Sequence, residues 1–162
     1  MSGPDAAEDD PVRERRLPDM GLDGFAPYLI NRISARYSAD MADALRARGL
    51  TTPQMRALAV LAVHPGLTVN QLAVYAVMEQ STMSRTLDTM VECALVERRA
   101  RADDGRVREI FLTREGLAAF EEVWPLMCQE EARMLEGLSV SDREVLLAVL
   151  AKMLRNIRRH PF

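Results

Sequence analysis

The stretch that decides the fold reads Thr68-Val-Asn-Gln-Leu-Ala73, then Gln80-Ser-Thr-Met-Ser-Arg-Thr-Leu-Asp88, then Leu95-Val-Glu-Arg98, then Asp104-Gly-Arg106 and Ile110-Phe-Leu-Thr113. Thr68 with Gln71 three residues on is a capping box, in which each side chain satisfies an orphan amide of the first helical turn. It predicts a short helix ending near Val77. A second helix is expected over about 80–93, with Met83, Leu87, Met90 and Val91 on its buried face, because apolar residues recur there at helical spacing. Asp104-Gly105 is a strong tight-turn signal, so 95–100 and 106–112 are expected to pair as strands. Two helices separated by a turn and followed by a hairpin make a winged helix-turn-helix.

Outward from this centre the chain is helical. Ile30, Ile33, Tyr37, Met41 and Leu45 keep the helical period over 27–48, and Gly49 ends that helix. Thr52-Pro53 predicts an N-cap followed by proline in the first turn of a helix that ends at Pro65-Gly66. Thr113 should cap a long helix to about Glu136, interrupted and kinked at Pro125 and closed by Gly137. Ser141-x-x-Glu144 predicts a further capping box, opening a last helix that carries Val145, Leu146, Val149, Leu150, Met153 and Leu154. The expected fold class is mainly α with a small β-hairpin wing: a winged helix-turn-helix lobe at 51–113, flanked by helices at 23–50 and 114–160. The flanking helices have broad apolar stripes but are too few to close a core. A homodimer in which they interdigitate is the economical solution, so they are expected to be dimerisation helices.

Composition narrows the function class. The chain has 162 residues, 48% apolar and 28% charged, as in ordinary globular proteins. No apolar run approaches the roughly 18–20 residues needed to span a bilayer, so no membrane association is expected. The first twenty residues hold six acids and three arginines with Pro4, Pro11 and Pro18, so no secretory signal is expected there. A disordered tail is expected over 1–22. Cys93 and Cys128 cannot make a disulfide framework and resemble small buried hydrophobes. With only two histidines, no metal site and no cofactor are expected, and a reducing cytoplasm is the expected compartment. Net charge is −3, which alone argues against a nucleic-acid binder. The distribution argues otherwise. Residues 98–108 hold five arginines against two acids, and 152–160 hold Lys152, Arg155, Arg158 and Arg159 with no acid. Twenty of the 21 basic residues are arginine, whose planar fork suits phosphates and base edges, although a coding bias would produce the same count.

Over 68–117 the sequence resembles the multiple-antibiotic-resistance-regulator (MarR) family of bacterial transcription factors. The segments quoted above carry the resemblance, with Arg114-Glu-Gly116 after them. The wing pattern Asp-x-Arg, with Leu-Thr six residues after the arginine, is matched by Asp104, Arg106, Leu112 and Thr113. The flanking helices extend the match to about 25–158. Val77 and Ala94 stand where the family often has glycine, and Gly105 where it often has arginine. The resemblance implies a homodimeric regulator of double-stranded DNA that binds a pseudo-palindromic operator, usually represses, and is released by a small molecule or an oxidant.

The helix over 80–93 should then enter the major groove with Gln80, Ser81, Thr82, Ser84, Arg85 and Thr86, and Arg85 should make the strongest contact. The blander alternative is that Ser81 and Thr82 cap the helix while Arg85 pairs with Asp88. Arg106 should enter the minor groove, with Asp104 orienting its guanidinium or the turn. A weak surface ion pair is the alternative. Arg98, Arg99, Arg101 and Arg108 are phosphate candidates. Thr68 and Gln71 should cap, with a phosphate contact of Thr68 left open. The family's effector pocket implies Tyr28, Asn31, Arg32, Arg36 and Tyr37 from the first long helix, His64, and Trp124, Met127 and Cys128 near Pro125. Arg32 and Arg36, one turn apart, suit an anion such as an aromatic carboxylate or an acyl derivative. The competing expectation is core packing for the apolar members and solvation or pairing for the arginines. Peroxide-sensing members carry a cysteine in the first dimerisation helix, and this chain has none before Cys93. A winged-helix protein-interaction module without DNA binding is the alternative function. An enzyme is not expected, since the sequence offers no Gly-rich phosphate loop, no metal cluster and no Ser/His/Asp set.

Overall fold

The computed structural model describes residues 16–160, and the lead-in over 1–15 lies outside them. The chain forms two compact units that divide between Asp40 and Met41.

In the first unit, α1 (Leu17–Met20) and a 3-10 turn (Leu22–Gly24) precede α2 (Ala26–Arg46), which continues into the second unit. The disordered tail expected over 1–22 is therefore helical at 17–20. Pro18 lies in the first turn of α1, where its fixed φ favours a helix, and Gly21 closes the turn at φ +70°. Leu29, Ile30 and Ile33 on α2 are exposed.

The second unit holds the end of α2 and then α3 (Thr52–Val63), β1 (Leu67–Thr68), α4 (Val69–Tyr75), α5 (Gln80–Glu92), β2 (Val96–Ala100), β3 (Arg108–Leu112), α6 (Arg114–Met134) and α7 (Val140–Ile157). The sheet is antiparallel in the order β1-β3-β2, with Leu67 opposite Ile110 and Val96 opposite Leu112. The expected winged helix-turn-helix is present. β1 was not expected, because two residues are too short to show an alternation.

Leu58, Leu61, Leu72, Met83, Leu87, Met90, Val96 and Ile110 form one buried cluster that welds α3, α4, α5 and the sheet together. Val91, expected on the buried face of α5, is 40% exposed. It follows Met90 by one residue, a rotation of about 100° away from the core.

Two capping frames shift. α3 opens on the box Thr51/Gln54, not at Thr52, with Pro53 inside the first turn. α7 opens on Ser139/Asp142, not Ser141/Glu144. The box Thr68/Gln71 on α4 is present as expected. α2, α4 and α5 share one ending: the backbone N–H of Leu50, Met78 and Leu95 donates back five residues to Leu45, Ala73 and Met90. Each preceding residue is left-handed, namely Gly49 at φ +68°, Val77 at +54° and Ala94 at +55°. The two positions where the family often has glycine thus keep a glycine-like backbone without glycine. α6 runs through Pro125 as one helix, although proline cannot donate to the carbonyl of Glu121. α7 buries none of its residues.

Candidate nucleic-acid interface

α5 is positioned from behind. Met83, Leu87 and Met90 are fully buried, so the helix cannot roll without opening the core. The opposite side carries Gln80, Ser81 and Arg85, all exposed, while Thr82, Ser84 and Thr86 are half-buried on the flanks. Glu79 at the N-cap makes no side-chain capping bond, so neither Ser81 nor Thr82 takes that role. The hydroxyl of Thr86 donates to the Thr82 carbonyl at 2.9 Å. Arg85 donates from Nε to the Ser81 carbonyl at 3.3 Å and does not pair with Asp88. The partner of Asp88 is Arg98, with Nη2 2.6 Å from Oδ1.

The far end of α5 is held by Thr113. Its hydroxyl donates to the Ala94 carbonyl and accepts from the Gly116 amide at 2.9 Å, and its own N–H donates to the Leu95 carbonyl at 3.1 Å. Gly116 makes this approach possible, since a Cβ there would lie 1.9 Å from the Leu95 oxygen. The sequence reading placed the Thr113 cap but missed this contact, which only the juxtaposition of α6 and β2 reveals.

The wing sorts its arginines by partner. Arg99 pairs with Glu97 and lies over the Phe111 ring, 4.5 Å from its centroid. Arg101 pairs with Glu109 at 2.8 Å and approaches Asp103 at 3.8 Å. The hydrogen bond to Glu109 is the main cause that raises its pKa above the usual arginine value. Arg98 is engaged by Asp88, as above. Arg106 and Arg108 are exposed and, among the described residues, form no ion pair. Asp104 orients the turn: its Oδ1 accepts from the Arg106 amide at 3.0 Å, and its carbonyl accepts from the Val107 amide at 3.0 Å. The hydroxyl of Thr68 is engaged with Gln71 in the α4 cap.

A cleft of about 240 Å³ opens beside α5, lined by Thr51, Gln54, Thr82, Arg85, Thr86 and Thr89. Thr51, Gln54 and Thr89 escaped the sequence reading. Thr51 and Gln54 belong to the opening of α3, and nothing in their spacing announces that α3 starts beside α5.

The residues considered for an effector are distributed over both units. On α2, Tyr28 and Tyr37 are half-buried, Asn31 and Arg32 are exposed, and Arg36 pairs with Asp40 at 3.0 Å. In the second unit His64 stacks on Tyr75 at 4.9 Å, Trp124 is exposed with its ring 5.9 Å from Phe120, and Met127 and Cys128 are half-buried. Cys93, expected to be buried, is exposed just past the end of α5. Among the described residues no group of His, Cys, Asp and Glu could hold a metal ion, and no helix is long and apolar enough to cross a membrane.

A sequence model of the MarR family matches residues 48–107. A MarR family transcriptional regulator from Silicibacter pomeroyi, of known crystal structure, is 42% identical, with 91% of this chain and 100% of that one covered and a TM-score of 0.86. The chain belongs to the MarR family. Among curated relatives, the HTH-type transcriptional repressor Rv2887 of Mycobacterium tuberculosis is 29% identical over 83% of this chain and 98% of its own length. A crystal structure of Rv2887, a complex with p-aminosalicylic acid, covers 80% of this chain and 98% of its own at 26% identity, with a TM-score of 0.66. S. aureus MepR, crystallised with DNA, is 27% identical over 82% of this chain and 98% of its own, with a TM-score of 0.71. As a MarR protein this chain is a DNA-binding transcriptional regulator, and the family is one of regulators, not enzymes.

Proposed function

We propose that this MarR protein is a homodimeric repressor that binds a pseudo-palindromic operator in double-stranded DNA and is released by a small organic acid. The observation that carries the reading is the two-sidedness of α5: a fully buried apolar face behind, and Gln80, Ser81 and an Arg85 without a carboxylate partner in front. An exposed fork on a helix that cannot roll suits base edges in a major groove. Arg106, at a tip fixed by Asp104, is the minor-groove contact, and Arg108 is a phosphate contact. Thr82, Ser84 and Thr86 flank the contact, with Thr68 beside it as a cap. The net charge of −3 is compatible, since a local patch neutralises phosphates while the acidic remainder limits non-specific binding.

Dimerisation is supported by α7, which buries nothing and exposes Val145, Leu147, Val149, Leu150, Leu154 and Ile157. Apolar surface of that extent on a helix marks an interaction site. The effector reading is supported by the p-aminosalicylic acid complex of Rv2887. Arg32 is the candidate for the carboxylate, with Tyr28, Asn31, Arg36, Tyr37, His64, Trp124, Met127 and Cys128 as further candidate contacts. Pro125 is the candidate hinge.

The test is a gel shift, at stated salt, against DNA upstream of its own gene. Arg85→Ala is expected to weaken binding by about 10- to 100-fold, and Arg106→Ala by about tenfold, while sedimentation still finds a dimer. Wild-type affinity in both variants would sink the assignment. A protein-interaction module would show no shift at all. Aromatic acids and their thioesters that raise the melting temperature should also release the DNA.

A further inference from the structure

Asp88 lies three residues after Arg85 on α5 and its side chain is 57% exposed. Side chains three apart on a helix are neighbours, so this carboxylate has two arginines within reach: Arg85 on its own helix and Arg98 on β2. The structure gives it to Arg98, whose Nη2 donates to Oδ1 at 2.6 Å, while Arg85 turns back to the Ser81 carbonyl. The neighbouring strand residue, Arg99, is engaged with Glu97 and Phe111 and does not compete.

We infer that Arg98 is a positioning residue rather than a DNA contact: by holding Asp88 it keeps Arg85 unpaired for the duplex. The inference rests on the DNA-binding reading of α5. Without Arg98, Asp88 would draw Arg85 into an i,i+3 pair and would also present an unbalanced negative charge to the phosphates. The pair works in both directions. Asp88 withholds the Arg98 charge from the phosphate backbone, which lowers affinity for any sequence and so favours discrimination.

The experiment measures fluorescence anisotropy with two labelled duplexes, one from upstream of the protein's own gene and one unrelated, over a salt series. The proteins are wild type, Asp88→Asn, Arg98→Met and the double variant, with folding checked by circular dichroism. Arg98→Met, which keeps the aliphatic stem, is expected to bind the upstream duplex about tenfold more weakly, and the double variant to return to within about threefold of wild type. Asp88→Asn alone is expected to bind both duplexes more tightly, with a log–log salt slope steeper by about one. Wild-type affinity in Arg98→Met, or no recovery in the double variant, overturns the inference; the second result would mean that Arg98 itself touches DNA. If Arg98→Met does not fold, Asp88→Asn and the double variant still decide, because their slopes must differ by about one and equal slopes overturn the inference. A wild-type protein that binds neither duplex removes the DNA-binding reading, and this inference with it.

Discussion

α5 and α7 are helices of 13 and 18 residues, each with apolar side chains every three or four positions, and they end in opposite surroundings. α5 sinks Met83, Leu87 and Met90 completely into a cluster supplied by α3, α4 and the sheet. α7 leaves Leu154 62% and Ile157 76% exposed. Apolar area returns about 25 cal/mol per Å² wherever it leaves water, so nothing in the stripe of α7 makes it a poorer core former. The difference is what the rest of the chain supplies. The winged lobe closes its own core and can hold a helix against it; α7 buries none of its residues, and it is the proposed dimer that would cover its exposed face. The lobe is built for rigidity at one surface, and α7, in the proposed dimer, serves association at another.

The comparison breaks first at Gly116. Replacing it with alanine drives a methyl into the Leu95 carbonyl at 1.9 Å and must push α6 away from β2. Overpacking of this kind should cost about 3 kcal/mol. Urea denaturation followed at the lobe should show that loss, and a variant as stable as wild type would mean that α6 is not seated as described. Leu154→Glu attacks the other side. It should weaken self-association at least tenfold, about 1.4 kcal/mol, while the circular dichroism of the lobe persists. Sedimentation velocity across a dilution series decides it, and an unchanged dimer would exclude α7 from the interface.

Ala94→Gly sharpens the comparison from within the lobe. Ala94 occupies the left-handed ending of α5, a conformation that costs a side-chain-bearing residue about 1–2 kcal/mol. Glycine removes that cost but gives back part of it in unfolded-chain entropy, so a gain of about 0.5–1 kcal/mol in melting experiments is expected. Val77, 80% exposed and β-branched, is a parallel site.

These positions also show what the sequence made legible. Met83, Leu87 and Met90 announced the buried face of α5 because a 3.6-residue period is a local signal, and Thr68/Gln71 announced the start of α4 because a capping box is complete within four residues. Val77 and Ala94 carried no such mark: the residue type argues against a left-handed backbone, and the ending is imposed by the amide of the next residue reaching back five positions. The Ser139/Asp142 frame was misread because Ser141/Glu144 offers the same pattern two residues later, and only the chain's exit from α6 chooses between them. Exposed Arg85 and Arg106 were legible as candidates. That Asp88 belongs to Arg98 was not, because it depends on where the wing folds back, whereas Asp104 takes the turn, one of the two roles read for it, through a contact two residues away. The partners of Arg99 and Arg101 were equally hidden, since Glu97, Glu109 and Phe111 meet them only across paired strands.

The three capping boxes carry the comparison into pH. Those of the lobe, Thr51/Gln54 and Thr68/Gln71, use a neutral carboxamide that does not titrate in the acid range, whereas that of α7 uses the Asp142 carboxylate. Its Oδ2 accepts from the Ser139 hydroxyl at 2.6 Å and from the Ser139 amide at 3.1 Å, and these bonds, the hydroxyl's first, hold its pKa below the ordinary value of 3.8. The folded state therefore binds this proton less readily than the unfolded chain. The carboxylate's contribution is complete above the unfolded value and disappears as pH falls through the lower folded one. A carboxyl-carbon NMR titration should place Asp142 below 3.8, with Ser139→Ala moving it back up toward that value. The stability difference between wild type and Asp142→Asn should shrink as pH drops through that acid window, while the difference for Gln71→Ala stays constant over it. An Asp142 that titrates at its ordinary value would mean that α7 starts without this cap, and the acid sensitivity assigned to this cap would have no basis.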